Sequence, residues 1–444
     1  MTHDPRTWVR RQLAKTYALA VPMALGQLGQ QLLATTDSAM VGHHEPLQLA
    51  GFGLANTVLL SAVFVGVGVL MGLDGAQAQA FGRRDLQCAH RLLRTGLRLS
   101  MWLTVPIVAF GLSAPHLFDA LGVAPTVAGD AAVVIWGRLP SIYPYLVYTA
   151  CVSYLQAKGR TRPIVVSVVL GNAVNLVSDY ALVGGVPQLG LPAMGAFGAS
   201  VSTCIVCVAM AAYLFVACRL PPSRARPAPA MMRRTIAVGW PIGGQLLAEF
   251  GIFVVVGIFA ARLGAVAASA HQLAFTIITI SYSFALGAGA ASTVRVGRAA
   301  GSQRWHEIRP RTAVTLLAAA PVGLVAGIAM LAVPGPALSL FTSDATVIDA
   351  AVPLLRLAAL VQLADFAQSI LGGALRGVQR TGPILLAHCI GHYGIGLPIA
   401  WWLAFHGGGA PGLWIGLFAG LVGVVAVLAV ALGRVLRGHV GGAS

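Results

Sequence analysis

An all-α polytopic membrane protein is the fold class the sequence predicts: twelve transmembrane helices as two six-helix bundles related by a pseudo-twofold axis along the membrane normal. Three observations predict it. Of 444 residues, 57% are hydrophobic and only 9% charged, where an ordinary soluble domain carries roughly 25% charged residues. Apolar stretches of bilayer-spanning length follow one another from Tyr17 to Leu432, and each such stretch needs about 20 residues to cross. The second half of the chain also repeats the first.

The spans fall near 17–41, 47–80, 97–112, 127–148, 163–184, 194–217, 236–261, 265–294, 313–333, 347–371, 383–405 and 411–432. Runs such as Phe253 to Ala260 are continuously apolar, which excludes a transmembrane barrel, whose strands alternate apolar and polar residues. The net charge of +16 would suggest a nucleic-acid binder in a soluble protein, but here Arg and Lys mark cytoplasmic loops. Arg83, Arg84, Arg91 and Arg94 form one such group, and Arg295, Arg298, Arg304, Arg309 and Arg311 another. Only Arg262 falls on the outer side, and Arg138 and Arg356 lie within spans. Arg6, Arg10, Arg11 and Lys15 precede a long apolar stretch without a small-residue cleavage site. A removable signal peptide is therefore not expected, and both termini read as cytoplasmic. The six cysteines are scattered, and Cys204 and Cys207 lack nearby His or acidic residues in sequence, so neither a disulfide framework nor a zinc site is indicated.

A Pro- and Arg-rich stretch over 219–234 divides the chain into lobes of 1–218 and 235–444. A shift of about 219 residues superposes Pro22 on Pro241, Gly82 on Gly301 and Asp130–Val133 on Asp349–Val352. Arg160, Thr161, Pro163 and Ile164 meet Arg380, Thr381, Pro383 and Ile384 one residue later. Six spans per half is an even number, so both halves share one orientation, and the substrate path belongs at their interface.

Ionisable groups in a bilayer core cost about 2.5–3.5 kcal/mol each on insertion scales and generally face a cavity or a partner. Asp37, Asp179, Glu249 and Asp365 lie within spans, and Asp74 near a span end. Asn172, Asn175 and Asp179 share a helical face, and Gln30 stands two turns before Asp37. In the second half, Gln245 and Glu249 are one turn apart, and Gln362, Asp365 and Gln368 follow one helix. The plainest reading is that these acids pair with buried donors and hold helices together. Against it, the acids do not follow the repeat, since Glu249 falls on Gln30 and Asp37 on Val256, and few intramembrane cations exist to neutralise them. Arg138 and Arg356 are repeat-related, which argues for a structural job such as snorkelling or capping. His271 reads as a helix-linking residue that also lies in reach of a lining role. His271, His388 and His392 also invite a weak proton-relay reading, and the i, i+4 pair His388 and His392 a weak metal-site reading, since no Glu follows His388 as a zincin motif requires. Tyr143, Tyr148 and Tyr282 offer faces for an organic cation, although interfacial belts use such residues too.

Thr36–Gly42 and Leu49–Asn56 resemble the opening of multidrug and toxic compound extrusion (MATE) transporters. Pro241–Glu249, Ser269–Gln272, Arg295–Arg298 and Leu155–Pro163 resemble the NorM-like branch, and the resemblance covers Tyr17 to Arg437. It implies a secondary active multidrug efflux transporter of the bacterial inner (plasma) membrane. Such a protein exports cationic or amphipathic organic compounds in antiport with Na+ or H+, without a further cofactor or nucleic-acid partner, and it is expected to act as a monomer. By position, Asp37, Asn175, Asp179 and Thr203 match a cation or proton site of the N-terminal lobe, and Glu249 and Asp365 one of the C-terminal lobe. Gln30, Asn56, Asn172, Tyr143, Gln245, His271, Gln272, Tyr282 and Gln362 are expected to line the substrate path, and Na+ is expected at Asp37, Asp179, Glu249 or Asp365. Asp74 and Ser269 depart from the family's pattern. The alternative within transport is a flippase for a lipid-linked or cell-envelope precursor, which calls for a basic groove where these clusters are acidic. A membrane-embedded enzyme is a further class, but no nucleophile and base motif supports it.

Overall fold

A bilayer offers no water to unpaired peptide groups, so each crossing segment must satisfy its own backbone, and the chain meets this with helices. The computed structural model describes residues 5–120, 122–221 and 228–440; the middle of the Pro- and Arg-rich stretch, 222–227, lies outside them. In order come α1 (Pro5–His44), α2 (Leu49–Gly82), α3 (Leu86–Ala120), α4 (Pro125–Arg138), α5 (Ile142–Lys158), α6 (Arg162–Val183) and α7 (Gly195–Cys218). The second half has α8 (Pro229–Arg262), α9 (Ala265–Gly301), α10 (Ile308–Ala332), the short α11 (Pro334–Ser339), α12 (Ala345–Gly377), α13 (Gly382–His388), α14 (Leu397–Leu403) and α15 (Gly409–Val440).

Among the described residues, nine helical stretches are long and apolar enough to cross a membrane. The last of these, Gly382–Gly438, contains two segments, because His406 and Gly407 leave helical geometry between α14 and α15. The forty-residue α1 and the pair α4–α5 complete the twelve. A 3-10 turn at Leu139–Ser141 joins α4 to α5, and backbone angles on either side stay right-handed helical. The expected span 127–148 thus stops short of the helix, which runs to Lys158. Ser153 and Gln156 dilute the hydropathy there without breaking the helix, and the Ser153 hydroxyl donates to Gln77 Oε1 at 2.8 Å.

Local signals set the ends. Proline occupies the first turn of α4, α6, α11 and α13, where its missing N–H costs nothing. Asp344 caps α12 by accepting from the Thr346 and Val347 amides at 2.9 and 3.3 Å. Between α13 and α14, Cys389–Gly396 winds as a π-helix. Pro398 has no N–H to return to Gly394, and the Leu397 amide instead reaches the His392 carbonyl; the ladder widens as proline requires.

The repeat is visible in the backbone. Arg84 and Gln303 both adopt φ near +60° after equivalent helices. Gly159 and Gln379 are likewise left-handed, at +77° and +61°. Each of these corners closes with the same bonds, Arg160 N to Leu155 O and Arg380 N to Leu375 O, both 2.9 Å.

The chain packs as two units, one of residues 1–27, 78–84 and 244–444 and one of residues 28–77 and 85–243. These bounds are not those of the expected lobes: the start of α1 belongs with the second-half helices, and the start of α8 with the first-half helices. In the first unit, Arg295 accounts for α1. Expected in a cytoplasmic loop, it is buried on α9 because that helix continues to Gly301. It donates to Gln12 Oε1 at 2.8 Å, to Thr315 at 2.9 Å and to Thr16. Helices α9 and α12 of this unit approach through Gly289, Gly373 and Gly377, the mode expected where lipid supplies no hydrophobic drive. A Cβ on Gly289 would lie 2.6 Å from the Ser369 carbonyl oxygen.

Backbone cannot yield as a side chain can, so Gly289→Ala is expected to destabilise the fold by about 1–3 kcal/mol. Gly53, whose Cβ would meet nothing within 4 Å, serves as control. Thermal unfolding in detergent should show a lowered midpoint for Gly289→Ala and none for Gly53→Ala.

Candidate functional site

Each unit holds one cluster of buried acids, and the two differ in what compensates the charge. In the unit of residues 28–77 and 85–243, Asp37 projects from the second half of α1, with 4% of its surface exposed. Its Oδ1 accepts from Asn175 Nδ2 at 2.7 Å, and its Oδ2 from Thr203 Oγ1 at 2.9 Å. The sequence reading that gathers Asp37, Asn175, Asp179 and Thr203 describes one place. What that reading lacks is the cation. Arg138, at the end of α4, lies 2.6 Å from Asp37 Oδ2. It also donates to Thr203 at 3.2 Å and to Asn56 Oδ1, and its guanidinium carbon sits 5.1 Å from the centre of the Phe52 ring.

Arg138 therefore neither snorkels nor caps. The structural job expected of it is corrected to neutralising Asp37: the arginine is placed by the turn at Leu139–Ser141, with the Ser141 hydroxyl bonded to its carbonyl at 2.7 Å. Its repeat counterpart Arg356 is exposed on α12. The offset pointed to a shared structural role, and the two environments differ.

Asp179 is fully buried beside Asp37 and Ser202, and neither of its oxygens accepts a hydrogen bond of good geometry. Ser202 instead pairs with Ser178 at 2.6 Å. Asn172, on the same face of α6, turns to the Gly29 and Val168 carbonyls. Gln30 donates to the Tyr148 hydroxyl at 3.4 Å. Asp74 is half-buried on α2, and Tyr143 is exposed at the start of α5.

In the unit of residues 1–27, 78–84 and 244–444, Glu249 on α8 is the hub. Its Oε1 accepts from the Tyr282 hydroxyl and from Gln368 Nε2, both at 2.9 Å. Its Oε2 accepts from Gln245 at 3.0 Å and has His388 Nε2 at 3.8 Å. Gln368 also donates to Asp365 Oδ1 at 2.7 Å, so one amide ties the two acids together. Glu249 and Asp365 are 9% and 7% exposed. These hydrogen-bond donors are neutral hydroxyl and amide groups, in contrast with the guanidinium on Asp37.

His388, read weakly as part of a proton relay or of a metal pair, lies at this hub. The π-helical stretch carries His392 beside it, with ring centroids 5.5 Å apart. Neither ring nitrogen of His392 has a hydrogen-bond partner among the described residues. The i, i+4 spacing gives the pairing of the two histidines, whereas the approach of His388 to Glu249 joins α13 to α8 and has no signature along the sequence. Gln362 leaves the acids and accepts from Ser281. His271 packs against Phe275 and Trp414 at 6.4 and 5.8 Å within an apolar cluster, which joins α9 to α15. Gln272 is exposed.

Comparison with known proteins follows the same lines. A family model described as MatE matches residues 22–181 and 241–402, two copies that begin at the proline pair of the internal repeat. The chain is 34% identical to "Probable multidrug resistance protein NorM" of Bradyrhizobium diazoefficiens, over 94% of this chain and 92% of that one. It is 32% identical to "Multidrug resistance protein NorM" of Burkholderia vietnamiensis, over 94% and 93%. Its fold matches a solved structure described as the outward-facing conformation of a multidrug resistance MATE family transporter, with a TM-score of 0.87, 20% identity and 96% of each chain covered.

Removing one member of a buried ion pair strands the other and costs about 3–5 kcal/mol. Asp37→Asn and Arg138→Met are each expected to lower stability in detergent on that scale, and the double variant to lose less than their sum. A double-mutant cycle on unfolding midpoints measures the coupling, and additive losses would show that the two side chains do not act as a pair.

Proposed function

The chain belongs to the MatE family, and from that premise we propose that it is a secondary active exporter. It moves cationic or amphipathic organic compounds out of the cell in exchange for Na+ or H+, with the chain acting as a monomer in the bacterial inner membrane and both termini cytoplasmic. The single observation that carries this reading is the Glu249–Asp365 pair. Two carboxylates are buried within bilayer-spanning helices, and their donors are neutral. Burying charge in a medium of low polarity is costly unless a counter-charge joins it. An incoming cation supplies that counter-charge.

The competition follows from this. A proton or Na+ neutralises the pair and removes the attraction for an organic cation; when the ion leaves, the attraction returns. Na+ would use the carboxylate oxygens and the amide oxygens of Gln245 and Gln368, neither of which accepts a hydrogen bond among the described residues. A proton would reside on one carboxyl, with Tyr282 and His388 adjoining Glu249. Alternating access of the two lobes lets ion and substrate reach the acids in turn. The names of the relatives, multidrug resistance proteins, support export of more than one drug, and the acidic character of the cluster favours cationic ones.

Proteoliposomes with an imposed Na+ gradient, an imposed pH gradient, or neither test the reading, with ethidium fluorescence reporting export. Export is expected under one gradient and not without it. Glu249→Gln and Asp365→Asn are each expected to lower the rate roughly tenfold, equivalent to about 1.4 kcal/mol of barrier, with unchanged abundance in the membrane. Wild-type rates in both variants would defeat the competition scheme.

A further inference from the structure

We propose that Arg138 is a tethered counter-cation that occupies the cation position at Asp37, so that this acid exchanges no external ion and coupling falls to the Glu249–Asp365 cluster. The second clause rests on the exporter reading above; the first stands on geometry alone.

Asp37 has two oxygens, and each has donors within one unit. Oδ1 is taken by Asn175, and Oδ2 by Thr203 and by Arg138, the latter at 2.6 Å. The guanidinium is held by contacts with three helices: Asp37 on α1, Asn56 and Phe52 on α2, and Thr203 on α7. Its side chain is only 15% exposed, and that of Asp37 only 5%. A mobile cation at Asp37 would have to displace a group that never leaves the neighbourhood. Tethering gives such a group an effective concentration in the millimolar range or above. A second monovalent cation placed beside the guanidinium would also meet its repulsion in a medium of low polarity. Asp179, buried behind Asp37, is thereby left facing a cation that the protein already supplies. Among the described residues, the titratable groups around Arg138 are Asp37, Asp179, Cys204 and Cys207, and Arg138 is the cation they face.

The test isolates this cluster. In a Glu249→Gln/Asp365→Asn background, purified protein in detergent is measured for saturable 22Na+ binding and for proton uptake after a pH step. With Arg138 present, no saturable 22Na+ binding is expected. Arg138→Gln is expected to gain one cation per molecule, as bound 22Na+ or as one additional proton taken up, because the buried Asp37 and Asp179 then lie together without a counter-charge. Arg138→Lys keeps a tethered cation and is expected to behave as the parent does, which separates charge from mere packing. Saturable 22Na+ binding with Arg138 in place would overturn the proposal, as would an Arg138→Gln protein that elutes as a folded monomer and gains neither ion. These readouts are taken at rest, so a failure of ethidium export would count against the exporter reading and leave them intact.

Discussion

A carboxylate buried within a membrane must be given a positive partner, a proton or a dense set of donors, and much of this protein's polar architecture follows from that constraint. Asp37 is given a guanidinium. Glu249 and Asp365 are given hydroxyl and amide donors. The first arrangement is closed upon itself, and the second holds its acids among neutral donors alone, which is the basis of the proposed exchange. Two clusters that look alike by composition thus have different chemistry, and the difference rests on one arginine.

The fold was largely legible because its determinants are local. Apolar length, the positive loops and the proline and glycine punctuation are read along the chain, and they place twelve segments, although α1 and α3 begin at Pro5 and Leu86, well before the expected span starts. The exceptions have physical causes. The helix through α4 and α5 continues past its apolar part because the Ser153 hydroxyl finds Gln77, and α9 carries Arg295 inward because Gln12, Thr16 and Thr315 receive its protons.

The candidate site was legible where one helix supplied the relation, as with Gln245 and Glu249, or where the family resemblance supplied the match, as with Asp37 and Thr203. It was not legible where partners meet across the chain. Arg138 reaches an acid 101 positions away, and the repeat pointed elsewhere by pairing it with Arg356. His388 meets Glu249 from a helix far along the chain, a relation that no spacing within one helix could signal. Asn172 and Gln362 share helices with the acids but bond to a carbonyl and to a serine. Duplication preserved the backbone corners at Arg84 and Gln303 while the acids and cations diverged. In this chain the repeat is a guide to geometry and a poor guide to chemistry.

The most direct measurement is infrared difference spectroscopy of the membrane-reconstituted protein, with Na+ and pH stepped in the perfusing buffer. Carboxyl and carboxylate bands that respond to the coupling ion should vanish in Glu249→Gln and Asp365→Asn proteins and persist in Asp37→Asn. Bands that vanish in Asp37→Asn and persist in the other two would contradict the account.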